Sequence, residues 1–337
     1  MSDRISKPTR AVQTGYSRRD VLQTGARVAG AGMLGWLIAA PGSSGLAKAD
    51  EEQEKHDNPM HGYIDAHVHV WTPDTTRYRL SEGYKKEDMQ PESFTPEELF
   101  AHARPCGVTR VVLIQMSFYG FDNSYMLNAM REHLGVFSGV AVIDDAAERP
   151  EEEMQRLAKL GVRGFRLYPQ KRPIDKWFAS PGIERMWKAG AKEGLAMCLL
   201  INPEMLPVAD QMCEKHPDTP VVIDHFARIG VDGKIRDEDV ERLCNLARHK
   251  HTSVKVSAFY ALGKKQPPYT DLIPMARKLL DAFGPERLMW ASDCPFQVDP
   301  GHNYKDSIDL VRERMDFLTD SDRDWLLKKT AERVFFS

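Results

Sequence analysis

From residue 63 to the end, the chain alternates short apolar runs with longer amphipathic stretches, and no other feature constrains the fold as strongly. Several runs are apolar almost throughout, as at 111–114, which is typical of parallel strands buried on both faces. Helix-start signals lie between the runs, such as Thr95 before Pro96 and two glutamates. We therefore predict strands at 63–71, 110–116, 137–144, 162–169, 195–202, 220–228, 252–260 and 287–296.

Eight strand–helix units favour one α/β domain over residues 63–337. Their total length, roughly 255 residues, suits a (β/α)8 TIM barrel. A doubly wound open sheet would also alternate strands and helices, but no G-x-G-x-x-G follows a strand as dinucleotide-binding folds of that kind require. The prediction is therefore a TIM barrel.

The N-terminal segment has the order of an export signal. Arg18 and Arg19 precede an apolar, Ala- and Gly-rich stretch at 25–40, and Ala-Lys-Ala follows at 47–49. The paired arginines are typical of a twin-arginine signal, and the apolar stretch is short and glycine-rich for a bilayer span. We predict a signal at 1–49, a flexible lead-in at 50–62 and export to the periplasm, with an uncleaved membrane anchor as the alternative and no stable span in the mature protein.

Charge and cysteine content narrow the class of partner. The formal net charge is -3, so the chain lacks the basic excess that nucleic-acid binding proteins use. Its five cysteines are odd in number, and none forms a C-x-x-C pair. This pattern indicates free thiols rather than a zinc–thiolate site. A small-molecule substrate is the expected partner.

Four residues that carry chemistry fall where predicted strands end. His67 and His69 are separated by one residue on the first strand, so both imidazoles face the same side. His225 ends the sixth strand and Asp293 the eighth. Catalytic groups of a TIM barrel lie at the carboxyl ends of its strands. Two imidazoles and a carboxylate there suit a divalent metal or an activated water.

A further group of polar residues at strand ends or in the following loops is predicted to bind substrate. Arg166 carries a guanidinium that can hold a carboxylate with two parallel hydrogen bonds. The other three candidates are Tyr168, Gln115 and His302. A structural ion pair is the alternative role for Arg166.

Three motifs together resemble the amidohydrolase superfamily, in its amidohydrolase-related branch. They are Asp-Ala-His-Val-His at 65–69, Val-Ile-Asp-His at 222–225 and Gly-Pro-Glu-Arg-Leu-Met-Trp-Ala-Ser-Asp-Cys-Pro at 284–295. The resemblance covers nearly all of the chain after the signal, including a terminal segment at 328–335. The motif at 284–295 and the sequence Leu-Leu-Ile-Asn-Pro at 199–203 are most similar to those of sugar-lactone and dicarboxylate lactonases.

The resemblance implies roles for these positions. His67 and His69 would bind a metal or polarise a carbonyl, His225 would face the substrate as an electrophile, and Asp293 would activate water and serve as a possible ligand. The fourth strand has Arg166 and no lysine for a two-metal centre, and the fifth has no histidine. The implied cofactor is thus either one weakly held divalent ion, zinc or manganese, or none.

Three functions are compatible with these residues. The favoured one is hydrolysis of a lactone from sugar-acid or aromatic-acid breakdown, with Asp293 activating water. A mononuclear metal-dependent decarboxylase or hydratase of an aromatic acid is the first alternative, and the missing fifth-strand histidine argues against it. The second alternative is a non-catalytic cell-envelope binding protein, against which the presence of all four strand-end residues argues.

Overall fold

A computed structural model describes residues 62–169 and 172–337. Eight strands form one sheet in sequence order, and every pair of consecutive strands is parallel. The strands are β1 Tyr63–Val68, β2 Val108–Ile114, β3 Phe137–Ala141, β4 Val162–Leu167, β5 Ala196–Leu199, β6 Val221–Ile223, β7 Thr252–Ser257 and β8 Leu288–Ala291. The predicted signal at 1–49 and most of the lead-in lie outside the described residues.

The first and last strands meet and close the sheet into a barrel. The amide of Asp293 donates to the carbonyl of His67 at 2.9 Å, and the amide of His69 donates to the carbonyl of Cys294 at 2.8 Å. These bonds continue the sheet just beyond the ends of β1 and β8. The predicted TIM barrel is confirmed, and its closing seam joins the two segments that carry candidate site residues.

An outer layer of helices covers the barrel. The helices are α1 Pro96–Ala103, α2 Ser124–Glu132, α3 Pro150–Ala158, α4 Ile174–Phe178, α5 Pro181–Glu193, α6 Leu206–Lys215, α7 Asp237–Asn245, α8 Ile273–Phe283, α9 Tyr304–Asp309, α10 Asp320–Asp324 and α11 Thr330–Phe335. The predicted cap of α1 is present, because Thr95 and Glu98 each bind the other's backbone amide. Among the described helices, none is both long and apolar enough to cross a bilayer.

The last helix closes the bottom of the barrel. Phe335 on α11 is 1% exposed and belongs to the interior apolar cluster with Ile64, Val112 and Met289. Beside it, the buried guanidinium of Arg110 pairs with Glu332 at 2.6 Å. The C-terminal helix is therefore part of the barrel core.

The predicted strands are correct in number and position, but the sheet ends earlier than predicted at most carboxyl ends. The sixth run was predicted to reach residue 228, whereas β6 stops at Ile223. His225 has φ of 52° and Asp293 has φ of 65°, both in the left-handed region. A left-handed residue turns the chain out of the sheet, so these side chains lie in the loops just above the strands.

One ion-pair cluster on the outer layer predicts an acid-sensitive contribution to stability. Lys215 hydrogen-bonds Glu184, His216 Nε2 lies 3.2 Å from the same carboxylate, and together they lower the pKa of Glu184 to about 2. Because the folded pKa is below the unfolded value, this contribution is present above pH 4.5 and is lost as pH falls toward 2. We expect Glu184→Gln to lower the free energy of unfolding by about 1 kcal/mol at pH 7.

Denaturant unfolding at pH 7 and near pH 3 measures this effect, with Glu238→Gln as the control because its carboxylate is largely exposed in a loose ion pair. The gap between the wild type and Glu184→Gln should narrow at the lower pH. A gap that stays constant would contradict the prediction.

Candidate active site

A β-bulge on the first strand directs the two histidines into the barrel mouth. Asp65 pairs with Val111 and Val68 with Leu113, so one extra residue lies between them on β1. The alternation of side chains therefore shifts before His67. His67 and His69 are both buried, and their Nε2 atoms lie 3.3 Å apart.

Asp65 consequently stands apart from these histidines. Its Oδ1 accepts hydrogen bonds from the backbone amides of His67 at 3.1 Å and Ser292 at 2.9 Å. Its Oδ2 accepts from the Tyr304 hydroxyl at 2.7 Å. Burial raises the pKa of Asp65 to about 6 despite these bonds. Asp65 thus ties β1 to the segment after β8 and holds the seam on which the site is built.

Asp293 faces three imidazoles. Its Oδ1 lies 3.4 Å from Nε2 of His67 and 3.5 Å from Nε2 of His69. Its Oδ2 lies 3.7 Å from Nε2 of His225 and accepts a hydrogen bond from the Tyr260 hydroxyl at 2.7 Å. The structure therefore brings all four predicted catalytic residues together, with the three histidines around the Asp293 carboxylate.

His225 is positioned by an unusual backbone segment. Residues 225–228 all have φ between 52° and 59°, which L-residues rarely adopt. The turn brings the His225 ring centroid 4.4 Å from that of His67 and its Nδ1 2.8 Å from the Ser257 hydroxyl oxygen. Strained backbone of this kind clusters at functional sites.

A buried charged group lies beneath the histidines. Asp224 places Oδ1 3.0 Å from Nζ of Lys255 and Oδ2 3.7 Å from a guanidinium nitrogen of Arg166. Asp224 and Lys255 are fully buried, and Arg166 is nearly so. Arg166 Nη1 also lies 3.5 Å from His69 Nε2. Two cations therefore flank one buried carboxylate at the base of the site.

Burial and neighbouring charges fix the ionisation of the central groups. Burial alone would raise the pKa of Asp293, but the facing imidazoles outweigh it and hold that pKa well below its usual range. Burial also lowers the pKa of His225 to about 4 and that of His67 well below its ordinary value. At neutral pH the site thus presents an ionised Asp293 carboxylate beside the neutral imidazoles of His67 and His225.

This group of residues could hold a metal ion. One ligand atom each from His67, His69 and Asp293 lies within 4.8 Å of the others, and all three residues are buried. The Nδ1 of His69 lies 2.9 Å from the carbonyl oxygen of Ile114, so it carries the proton and leaves Nε2 with a free lone pair. Metal-binding histidines are held by the same type of bond. Two nitrogens and a carboxylate oxygen fit zinc or manganese as a partial ligand set.

The predicted substrate-binding residues lie at different distances from Asp293. Arg166 reaches the central group, as described above. Tyr168 directly follows β4 and is half-buried, and its burial together with the nearby Tyr84 raises the pKa of its hydroxyl. Gln115 is buried, and its amide donates to the carbonyl of Asp122 at 2.6 Å. Its role in substrate binding stays a prediction.

His302 lies farther out, behind Tyr260. Its Nδ1 is 2.9 Å from the Tyr269 hydroxyl, and its ring centroid is 6.1 Å from that of Tyr260. Tyr260 itself was missed from the sequence. It follows Ala258, whose φ of 57° starts a turn after β7, and no regular spacing marks such a position. The only available signal was its position as the last residue of the predicted strand 252–260, and it lies three residues beyond the end of β7.

Tyr260 gives a testable contribution to catalysis. We expect Tyr260→Phe to lower kcat roughly 10- to 100-fold with little change in KM, because a hydrogen bond to a charged group contributes about 1.5–3 kcal/mol. Steady-state kinetics on a hydrolysed substrate measures this. Tyr63→Phe is the matched control, since Tyr63 begins β1 at the opposite end of the barrel. Equal kinetics for Tyr260→Phe and wild type would contradict the assignment.

Several known proteins are similar to this chain. A sequence model of the family described as amidohydrolase matches residues 64–336. The chain is 30% identical to a 2-pyrone-4,6-dicarboxylate hydrolase of Comamonas testosteroni over 69% of this chain and 77% of that protein. It is 27% identical to an L-fucono-1,5-lactonase of Burkholderia ambifaria over 71% of this chain and 82% of that protein.

A solved structure shares the fold. An amidohydrolase from Burkholderia multivorans with bound zinc superposes with a TM-score of 0.70 at 21% identity. The match covers 81% of this chain and 99% of that one. The barrel and its order of strands are thus common to both proteins.

Proposed function

The chain belongs to the amidohydrolase family, and on that premise we propose that it is a hydrolase that opens the ring of a small lactone. One observation carries the proposal: the Asp293 carboxylate is buried among His67, His69 and His225, with its oxygens 3.4–3.7 Å from their Nε2 atoms. An ionised carboxylate so placed can take a proton from water, and the neutral imidazoles of His67 and His225 can hydrogen-bond a developing oxyanion.

The reaction balances with these groups alone. Water adds its oxygen to the lactone carbonyl carbon, and Asp293 accepts one water proton. Imidazole N–H groups stabilise the oxyanion of the tetrahedral intermediate. The ring C–O bond then breaks, and the proton held by Asp293 passes to the departing ring oxygen. The product is an open chain that carries a new carboxyl group and a new hydroxyl group.

The proposal allows at most one weakly held ion, zinc or manganese. His67, His69 and Asp293 would bind it, and it would supply a Lewis acid that polarises the carbonyl. The interior positions on β4 and β5 hold Arg166 and Cys198, which are not the lysine and histidine of stronger sites. An ester bond in a lactone ring needs less activation than an amide, so a site with few ligands suits this substrate.

We propose that the substrate is the lactone of a sugar acid or of an aromatic-pathway dicarboxylate. The relatives named above act, by their names, on a pyrone dicarboxylate and on a fuconolactone. In this chain Arg166 lies 3.5 Å from His69 and can offer its guanidinium to a substrate carboxylate. Tyr168, Gln115 and His302 are the further proposed contacts.

A proton-release assay tests the proposed function. The purified protein is incubated with a panel of aldonolactones and aromatic-pathway lactones near neutral pH, with and without a chelator. Turnover in the panel supports the proposal, and its survival in chelator shows that no ion is needed. Absence of turnover for every lactone, with and without added divalent ion, would overturn it and turn attention to decarboxylation.

We also propose that the protein reaches the periplasm through a twin-arginine signal. The support is the order of Arg18-Arg19, the apolar stretch and Ala-Lys-Ala at 47–49. In a bacterial host with this export route, the wild type should fractionate with the periplasm. Arg18→Lys combined with Arg19→Lys should retain it in the cytoplasm, whereas Arg10→Lys should not. Periplasmic recovery of the double variant would contradict the proposal.

A further inference from the structure

The lysine beneath the histidines is a buried cation with no role in the proposed reaction. Lys255 is 0% exposed on β7, inside the barrel. Its Nζ lies 3.2 Å from Nδ1 of His67, 3.0 Å from Oδ1 of Asp224 and 5.4 Å from the ring centroid of Phe335. The ammonium is therefore held between the apolar plug of the barrel and the site. Burying such a charge is costly, so its placement calls for an explanation.

The hydrogen bonds around the two adjacent histidines determine where their protons lie. Ile114 offers a carbonyl that only accepts, so Nδ1 of His69 carries the proton and Nε2 is bare. The Nε2 atoms of His69 and His67 lie 3.3 Å apart, a hydrogen-bond contact that requires one proton between them. That proton must belong to His67. A neutral His67 then has a bare Nδ1.

Lys255 matches this arrangement. An ammonium only donates hydrogen bonds, and here it points at the nitrogen of His67 that must accept. If both nitrogens of His67 carried protons, its Nδ1–H would point at the Lys255 ammonium, and two hydrogen-bond donors would face each other. Asp224 would favour the opposite tautomer, but its Oδ1 lies 3.6 Å from Nδ1 of His67, beyond hydrogen-bond reach. Lys255 is the nearer group.

We propose that Lys255 is a positioning residue that holds His67 in the Nε2–H tautomer. In this form His67 donates a hydrogen bond into the site, where the proposed reaction places the oxyanion, and its Nε2 must give up that proton before it can bind a metal ion. The lysine also pairs with Asp224 at 3.0 Å, so that this carboxylate has a partner other than His67. Without it, Asp224 could accept from Nδ1–H and complete the carboxylate–histidine–metal arrangement that zinc sites use. Lys255 thus favours hydrogen-bond donation by His67 over metal binding by His67. Only the catalytic use of this donated hydrogen bond rests on the proposed function.

The first test reads the tautomer directly. Nitrogen NMR of ¹⁵N-histidine-labelled protein, with His67 assigned by a His67→Gln variant, should show a protonated Nε2 and a bare Nδ1. In Lys255→Met the same ring should lose this pattern. A wild-type ring with Nδ1 protonated would overturn the proposal.

The second test measures metal affinity. Calorimetric titration of chelator-treated protein with zinc chloride should show binding at least about tenfold tighter in Lys255→Met than in wild type. The gain should vanish when His69→Gln is added. Lys278→Met is the matched control, because Lys278 is half-exposed on α8 and pairs with Asp237. An unchanged zinc affinity in folded Lys255→Met would overturn the proposal.

A second variant keeps the proposal testable if Lys255→Met does not fold. Lys255→Met leaves Asp224 buried with Arg166 as its remaining cation, so the double variant with Asp224→Asn removes both charges of the pair. If only the double variant folds, its His67 should show mixed tautomers, and a pure Nε2–H form would overturn the proposal. Neither the NMR nor the zinc readout requires a substrate. Failure to hydrolyse any lactone would therefore count against the proposed function and leave this inference standing.

Discussion

Replacing Asp293 with asparagine is expected to lower kcat by about 10²- to 10⁴-fold, the range typical of a lost general base. Asparagine tolerates the left-handed φ of 65° at this position and keeps the side-chain shape. The amide cannot take a proton from water, so the chemical step suffers while the fold remains. Steady-state kinetics on a substrate from the lactone panel, together with circular dichroism and thermal unfolding, measures both properties.

The control for this variant is Asp316→Asn, whose carboxylate is 91% exposed and loosely paired with Arg277. It should match wild type in both rate and melting temperature. Activity of Asp293→Asn within a few-fold of wild type would remove Asp293 from the role of base. A lower melting temperature of that variant would instead show that its charge supports the fold.

Truncating Phe335 to alanine is expected to have the largest effect on stability. The ring is 1% exposed inside the barrel, and such truncations cost about 3–5 kcal/mol through lost burial and the cavity that remains. Denaturant unfolding should show this loss. Phe121→Ala is the control, because its ring is 49% exposed and its removal should change stability by less than about 0.5 kcal/mol. A cost below about 1 kcal/mol for Phe335→Ala would mean that the bottom of the barrel collapses to fill the space.

The sequence was sufficient to predict the barrel, because the patterns that indicate each strand and helix are local. Apolar runs at 111–114 and elsewhere, with capping residues such as Thr95 between them, each predict one element without knowledge of the others. Rules for parallel sheets then allow few arrangements of eight such units. The strand-end location of His67, His69, His225 and Asp293 follows from the same rules.

Contacts across the barrel could not be predicted in this way. The bulge between Asp65 and Val68 changes which residues face inward, and simple alternation would have placed Asp65 beside the histidines. The meeting of Lys255 with His67 depends on the stagger of strands that are far apart in sequence. Such relations arise from closure of the whole sheet, so no single segment contains them.

The seam between the first and last strands has a consequence for biosynthesis. The backbone bond from Asp293 to His67 joins the first strand to the last, and α11, which seals the interior, is made after both of them. A nascent chain therefore carries its histidines for most of its translation without their carboxylate partner. The histidines and their carboxylate partner meet only after the eighth strand has been made, so a chain terminated before Asp293 would lack the proposed base even when its first six strands are intact.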